Sequence, residues 1–225
     1  MSATTASLRV VVLISGRGSN LQAILDSAAS GELPVEIAAV ISNRPHAHGL
    51  ERARRAGVET VVLDHKKFAE RESFDLALRE RIDGYRPGLI VLAGFMRILS
   101  GDFVEYYRGR MLNIHPALLP KFRGLDTHAR AIAAGEREHG ASVHFVTSKL
   151  DGGPVIVQAR VPVLAGDDPD ALAARVLRQE HRIYPLVVRW FAEGRVKLID
   201  GCVLFDGRPL QKPIILEATE RLPSL

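Results

Sequence analysis

The sequence has little cysteine and no long apolar segment. Cys202 is the one cysteine among 225 residues, which excludes an intramolecular disulfide and a cysteine-based metal cluster and favours a reducing compartment, here expected to be the cytoplasm. No apolar run approaches the ~20 residues that a membrane-spanning helix requires. The N-terminal segment is polar, and Arg9 interrupts the apolar run behind it. We therefore expect no signal peptide and no membrane association.

The chain also lacks a strong excess of either charge. Thirty lysines and arginines oppose 26 acidic residues, which gives a net charge of +4. Nucleic-acid-binding domains are usually more basic, so we expect small, anionic molecules as partners and no nucleic acid. The 47% apolar and 25% charged residues are ordinary for a globular protein. We expect one domain over residues 1–225, with a core from about 9 to 199 and a hairpin and tail over 200–225.

The first 115 residues alternate short apolar runs with longer amphipathic ones. Strands are predicted at 9–14, 35–41, 60–63, 89–92 and 111–114. Helices are predicted at 20–30, 49–56, 71–83 and 102–107. Such alternation is typical of an α/β protein with a doubly wound, mostly parallel sheet of the Rossmann-like kind.

The second half of the chain has a different pattern. Two apolar strands, 141–147 and 155–163, flank the sequence Asp-Gly-Gly-Pro, which predicts an antiparallel extension of the sheet. Asp168 and Pro169 are typical of a helix start, and this helix should run to about Glu193. Pro185 should kink the helix or divide it in two. A late hairpin is expected at 196–199 and 202–205, and a loose tail from Leu216 onward.

The loop after the first strand, Ser-Gly-Arg-Gly-Ser-Asn at 15–20, is a candidate anion site. Gly18 allows close approach of the backbone, Ser19 and Asn20 offer side-chain caps, and a helix N-terminus attracts anions. A phosphate monoester fits better than a dinucleotide, because Leu21 occupies the third glycine position of the dinucleotide fingerprint. A simple tight turn before a helix stays open as the alternative.

A second candidate site combines an amide, an imidazole and a carboxylate. Asn113 and His115 are two residues apart in a strand, so their side chains point to the same side and could both donate to a developing oxyanion. A carboxylate at Asp151 near His115 would stabilise and orient the imidazolium. A structural histidine and a turn aspartate are the alternatives. Because no nucleophile motif is present, the attacking atom should belong to the substrate.

Other signals are weaker. Glu180 lies on the apolar stripe of the long helix, where a carboxylate needs a cationic ligand group or a partner such as Arg178 or Arg182. The apolar loop 94–99 suits a flat heteroaromatic ligand held by backbone hydrogen bonds, or it covers the core. His144 reads as a sheet-face histidine. No third ligand accompanies the histidines at 46 and 48, so we expect no metal.

Several segments together resemble the phosphoribosylglycinamide formyltransferases within the folate formyltransferase family. The resemblance covers about residues 9–199, and its segments are VVLISGRGSNLQAI, VLAGFMRILS, LNIHPALLP, HGASVHFV, LDGGPVI and QEHRIYP. It implies three catalytic residues, namely Asn113, His115 and Asp151. It implies a ribonucleotide site formed by Gly18, Ser19, Asn20 and Glu180. It implies a folate site formed by Arg71, Met96, Arg97, Ile98, Leu99 and Asn113.

The resemblance also implies a reaction. The amine of N1-(5-phospho-D-ribosyl)glycinamide (glycinamide ribonucleotide) would take the formyl group of 10-formyltetrahydrofolate, a co-substrate, in de novo purine biosynthesis, with no metal. His115 and Asn113 would stabilise the oxyanion, and Asp151 would assist proton transfer. Segment 121–128 departs from the family pattern, since Arg123 and Asp126 stand where proline and histidine are usual. Monomer and homodimer both stay open.

Three other functions are alternatives. A formyltetrahydrofolate hydrolase would use the same three residues with water as the acceptor, but that family adds an N-terminal domain, for which no room is expected before the first strand. A formyltransferase acting on initiator tRNA would be expected to add a C-terminal domain. A non-catalytic sensor of phosphoribosyl ligands would bind without turnover.

Overall fold

The computed structural model describes residues 7–217, and its centre is an eight-stranded sheet. The strands are β1 (Leu8–Ile14), β2 (Val35–Ser42), β3 (Thr60–Val62), β4 (Leu89–Leu92), β5 (Met111–His115), β6 (Glu138–Phe145), β7 (Val155–Pro162), β8 (Val196–Ile199), β9 (Cys202–Phe205), β10 (Arg208–Pro209) and β11 (Ile214–Glu217). The helices are α1 (Ser19–Ala29), α2 (His48–Arg55), α3 (Arg71–Gly84), α4 (Gly101–Tyr106), α5 (Thr127–Ala133) and α6 (Pro169–Ala192), with a 3₁₀ turn at His65–Lys67.

The sheet is mostly parallel and has an antiparallel extension, as predicted. Its strand order is β11-β7-β6-β5-β4-β1-β2-β3. The five strands from β5 to β3 run parallel, β6 is antiparallel to both of its neighbours, and β11 is parallel to β7. Strands β8 to β10 form a small antiparallel sheet. Every strand and helix predicted in the first 115 residues is present within one residue of its predicted bounds.

Alternate residues of the central strands fill two cores, one on each face of the sheet. Val10, Val12 and Ile14 of β1 pack under helices α1, α2, α5 and α6. Val11 and Leu13 pack on the other face, under α3 and α4. Because both faces are covered, β1 is apolar without interruption from Val10 to Ile14, which is why it reads as a buried strand.

The order of the strands reverses between β1 and β4, which are neighbours in the sheet. The chain moves outward from β1 through β2 to β3 and then returns to build β4 and β5 on the other side. At such a reversal the loops leaving the two strands diverge and open a crevice at the carboxyl ends, where ligands of open α/β sheets bind. The loops that follow β1 and β4, together with the end of β5, therefore meet at this crevice.

Two predictions about the second half need correction, and one helix was missed. Helix α6 is continuous over Pro169–Ala192, so Pro185 does not divide it. Pro185 and its neighbours in α6 are buried. The packing of α6 against β6 and β7 compensates for the backbone hydrogen bond that proline removes. Helix α5 was not predicted. The loose tail is wrong for Leu216 and Glu217, which belong to β11 and pair with β7. Residues 218–225 lie outside the described part of the chain.

Membrane insertion has no support in the helices of residues 7–217. None of them is both long and apolar enough to cross a bilayer.

Candidate active site

His115 and Asp151 lie together, although 36 residues separate them in the sequence. The Nδ1 atom of His115, the last residue of β5, is 3.4 Å from Oδ2 of Asp151. Both side chains are largely buried, with 6% and 8% of their surface exposed. The Nε2 atom of His115 donates to the carbonyl oxygen of Phe122 at 2.9 Å. Both ring nitrogens thus face oxygen acceptors, which is the arrangement that suits a doubly protonated imidazolium.

The backbone of two segments holds Asp151 in place. The N–H of Gly124 donates to Oδ2 of Asp151 at 2.9 Å. Asp151 has a φ of 43°, in the left-handed region that aspartate tolerates better than most residues. Gly153 packs so closely on the carbonyl oxygen of Phe145 that a Cβ atom would collide with it. The glycines after Asp151 therefore let the loop lie against the end of β6.

His144 also belongs to this site, a role that was not predicted from the sequence. It pairs with Asn113 across the β5–β6 ladder, and the Nδ2 atom of Asn113 is 3.2 Å from Nε2 of His144. The Nδ1 atom of His144 is 2.8 Å from the carbonyl oxygen of Phe145. Burial lowers the pKa of His144, so its ring is neutral, with the proton on Nδ1 and Nε2 as an acceptor.

This tautomer fixes the orientation of the Asn113 amide. With Nε2 of His144 accepting, one Nδ2 proton of Asn113 is used and the second remains available as a donor. Nε2 of His144 is also 3.9 Å from Oδ1 of Asp151. The register that brings Asn113 opposite His144 depends on the pairing of β5 and β6, so no local sequence signal could have identified it.

A cavity of about 110 Å³ opens beside these residues. Phe95, Arg97, Ile98 and Leu99 of the 94–99 loop line one side, and its other walls come from Leu92, Val104, Asn113, His144 and residues 146–151. The exposed apolar side chains of the loop are Met96 and Ile98, whereas Phe95 and Leu99 are buried. Seven of the fourteen lining residues are apolar, and Asn113, His144 and Asp151 are among the polar ones. The side chain of Met96 is not among the lining groups.

The candidate anion loop has a different local structure from the one predicted. Gly18, with a φ of 71°, is the N-cap of α1, and no side chain caps this helix, so the expected capping by Ser19 or Asn20 is wrong. A Cβ atom on Gly18 would lie 2.6 Å from Cα of Gly49, so the close approach of α2 requires glycine there. The first N–H groups of α1 are consequently left without side-chain caps, as at an anion-binding helix N-terminus.

Asn20 contacts Glu180 instead of capping the helix. Its Nδ2 atom donates to Oε2 of Glu180 at 2.6 Å, and both side chains are buried. Burial raises the pKa of Glu180, and the hydrogen bond from Asn20 acts in the opposite direction. The sequence had offered arginine partners for Glu180, and the structure provides an amide. A buried carboxylate with one neutral partner remains able to bind an amine or an amide N–H.

These two groups of residues face the same crevice. The anion loop follows β1, His115 ends β5, and β4 lies between these strands. Two strand spacings separate them, which is about 10 Å. The hydroxyl of Tyr184, one helical turn after Glu180, is 2.8 Å and 3.0 Å from the carbonyl oxygens of Leu92 and Leu112. It thereby ties α6 to the ends of β4 and β5.

The remaining predicted residues are less central. Arg71 begins α3, is half-exposed and lies 3.5 Å from Glu72. It does not line the cavity beside Asp151. Within residues 7–217, no group of three or more histidine, cysteine, aspartate or glutamate side chains has an arrangement that could hold a metal ion.

Comparison with known proteins identifies the family. The profile of the formyl transferase family matches residues 8–188. The chain is 56% identical over 203 residues to phosphoribosylglycinamide formyltransferase of Escherichia coli, covering 90% of this chain and 96% of that protein. The corresponding enzyme of Haemophilus influenzae is 46% identical over 204 residues, covering 91% and 96%.

Solved structures agree with these sequence matches. The structure of phosphoribosylglycinamide formyltransferase from Coxiella burnetii superposes with a TM-score of 0.90 at 53% identity, covering 93% of this chain and 99% of that one. The glycinamide ribonucleotide transformylase of Symbiobacterium toebii gives a TM-score of 0.88 at 47% identity, covering 91% and 97%. The family profile, the sequence identities and the shared fold therefore agree, and the chain belongs to the formyl transferase family.

Proposed function

We propose that this protein transfers the formyl group of 10-formyltetrahydrofolate to the primary amine of N1-(5-phospho-D-ribosyl)glycinamide, a step of de novo purine biosynthesis. The observation that carries the proposal is the pairing of His115 with Asp151 beside a partly apolar cavity, two strands away from an uncapped helix N-terminus. The names of the two bacterial relatives and the Coxiella structure support this choice of substrate.

The phosphorylated substrate would lie along the carboxyl ends of β1, β4 and β5. Its phosphate would bind the first N–H groups of α1 at Gly18, Ser19 and Asn20, where the helix dipole favours an anion. Its glycinamide portion would reach Glu180. The two strand spacings between this loop and His115 would then bring the amine near the formyl group.

The formylfolate would occupy the cavity beside Asp151. A flat pterin fits between the 94–99 loop and residues 146–151, with backbone groups of Met96, Arg97, Ile98 and Leu99 as hydrogen-bond partners. Asn113 at the mouth of the cavity would contact the formyl oxygen. Arg71 would bind the acidic tail of the folate, and its exposed position at the start of α3 is compatible with a flexible tail.

The chemistry follows from the groups present. The amine nitrogen attacks the formyl carbon, the carbonyl π bond opens, and the oxyanion accepts hydrogen bonds from the His115 imidazolium and the second Nδ2 proton of Asn113. When the intermediate collapses, the C–N10 bond breaks, N10 takes a proton and the attacking amine loses one. Asp151 stabilises the imidazolium and directs this proton transfer. Such acid–base groups typically contribute ~10²–10⁴-fold.

The Phe122 carbonyl accepts the Nε2 proton of His115 in this structure. A formyl oxygen that receives the same proton must replace this carbonyl. Segment 121–128, which departs from the family pattern, contacts His115 and Asp151 through its backbone at Phe122 and Gly124. These two contacts use main-chain atoms and do not involve the side chains of Arg123 and Asp126.

The test is the absorbance change of 10-formyltetrahydrofolate deformylation, followed with and without glycinamide ribonucleotide. The proposal predicts turnover only when the amine is present, with one formylated product for each folate consumed. Turnover without the amine would identify a hydrolase. Binding of both ligands without turnover would identify a sensor.

We further propose that the chain acts as a single domain in the cytoplasm, either as a monomer or as a homodimer.

A further inference from the structure

Two buried side chains from outside the 94–99 loop hold its two ends. The Oγ atom of Ser15, at the end of β1, accepts a hydrogen bond from the N–H of Met96 at 2.8 Å. The Oδ2 atom of Asp75, on α3, accepts one from the N–H of Ser100 at 2.6 Å. Ser15 and Asp75 each have only 3% of their surface exposed. The loop is therefore fixed near both ends by side chains that do not line the cavity beside Asp151.

The backbone between these two anchor points is free. Within residues 7–217, the N–H groups of Arg97, Ile98 and Leu99 have no hydrogen-bond partner. All three residues line the cavity beside Asp151. Unpaired backbone donors at the wall of a cavity are the groups that recognise the ring nitrogens and carbonyl of a flat heteroaromatic ligand.

The anchor at Ser15 belongs to a small buried network. Its hydroxyl donates to Oδ1 of Asn43 at 2.6 Å while it accepts from Met96. The hydroxyl proton is thus used on Asn43, which leaves the oxygen lone pairs of Ser15 to face Met96. The network connects the ends of β1 and β2 to the first residues of the loop.

Burying the carboxylate of Asp75 costs folding free energy, which indicates that this side chain has a role other than stabilising the fold. Among the described residues 7–217, its buried Oδ1 atom has no hydrogen-bond partner, a cost that an apolar side chain on α3 would avoid. Its other oxygen fixes Ser100, the N-cap residue of α4, whose Oγ accepts from the N–H of Phe103. Asp75 therefore sets the point at which the loop enters α4.

We infer that Ser15 and Asp75 are positioning residues for the folate. They hold the N–H groups of Arg97, Ile98 and Leu99 where the heteroaromatic ring meets them, and neither side chain contacts the ring. This inference rests on the proposed function only for the identity of the ligand in the cavity.

The test compares variants of Asp75 in steady-state kinetics. Asp75→Ala removes one hydrogen bond to a charged acceptor, so we expect the KM for 10-formyltetrahydrofolate to rise about 10-fold. The KM for glycinamide ribonucleotide should stay within about twofold, since that ligand binds elsewhere in the crevice. Asp75→Asn keeps an oxygen that accepts from Ser100, and it should restore most of the folate affinity.

Asp102→Ala is the matched control, because Asp102 is an exposed acid in the first turn of α4. It should leave both KM values unchanged. Ser15→Ala should act in the same direction as Asp75→Ala, because it frees the other end of the loop. A lowered melting temperature of Asp75→Ala with both KM values unchanged would overturn the inference, since it would show a structural role alone.

Calorimetric titration with tetrahydrofolate separates the two proposals. If the unaltered protein binds no tetrahydrofolate, the proposed function fails. If the unaltered protein and Asp75→Ala bind it equally, the proposed function stands and the positioning role fails.

Discussion

The side-chain amide of Asn113 donates to Nε2 of His144 across the β5–β6 pair at 3.2 Å. This contact connects a proposed oxyanion donor to a buried neutral histidine whose other nitrogen is bound to the backbone. A neutral imidazole in this place orients the amide of Asn113 without adding a positive charge beside the pair of His115 and Asp151. The contact gives His144 a role in orienting the site.

Replacement of His144 should therefore act through Asn113. We expect His144→Ala to lower kcat roughly 10-fold, the value of about one hydrogen bond, with little change in either KM. Because the two residues act as one unit, the double variant Asn113→Ala/His144→Ala should be hardly slower than Asn113→Ala alone. A double-mutant cycle in kcat measures this coupling. Fully additive losses in kcat would show that Asn113 and His144 act independently and would contradict this prediction.

The anion loop provides a prediction based on close packing. Gly18→Ala introduces a Cβ atom 2.6 Å from Cα of Gly49, so the loop must move away from α2. We expect the KM for glycinamide ribonucleotide to rise at least ~10-fold, because the N–H groups of the first helical turn shift with the loop. The KM for the folate should stay near its original value.

Gly31→Ala is the matched control for backbone strain. Gly31 also has a left-handed φ, of 80°, but a Cβ atom there meets no neighbour within 4 Å. This variant should lose stability with both KM values unchanged. Equal effects of Gly18→Ala and Gly31→Ala on the KM for the ribonucleotide would contradict the assignment of the phosphate site.

The buried carboxyl of Glu180 predicts a dependence of stability on pH. Burial raises its pKa in the folded state, so the folded protein binds more protons than the unfolded chain between the ordinary and the raised pKa. The contribution of Glu180 to the free energy of unfolding must then fall as the pH rises through this interval. Glu180→Gln carries no such titration.

Urea unfolding from pH 4 to pH 8 checks this sign. As the pH rises, the free energy of unfolding of Glu180→Gln should increase relative to that of the unaltered protein. Glu80→Gln, which changes an exposed acid on α3, provides the control and should follow the unaltered protein. A difference that is constant across the pH range would show that Glu180 is not destabilised by its burial.

Much of the fold was predictable because its signals are local. The strand β1 is a short β-branched run, and α1 carries an apolar stripe at helical spacing, so both were found within one residue of their bounds. Helix α6 shows the limit of local rules. The helix continues through the buried Pro185 without being divided, and burial depends on packing that no short segment encodes.

The candidate site likewise contains residues that local patterns predict and residues whose roles depend on distant parts of the chain. Asn113 and His115 follow from the period of a strand, and Asp151 was predicted as the partner because the glycines that follow it allow the loop to reach the sheet edge. His144 was missed because its role depends on the strand register, and the partner of Glu180 was missed because Asn20 lies 160 residues away. No sequence pattern indicated the contacts of Ser15 and Asp75 with the 94–99 loop. Each side chain accepts from a backbone N–H at or just after this loop, which follows β4, whereas Ser15 ends β1 and Asp75 lies on α3.

The central claim is that His115, paired with Asp151, carries the chemistry of formyl transfer. Its most direct test is kcat for amine-dependent deformylation in His115→Ala and Asp151→Asn, with circular dichroism to confirm that both variants are folded. We predict that each variant loses at least ~10² in kcat, the usual contribution of a positioned acid–base group. Folded variants that retain near-normal turnover would contradict the account.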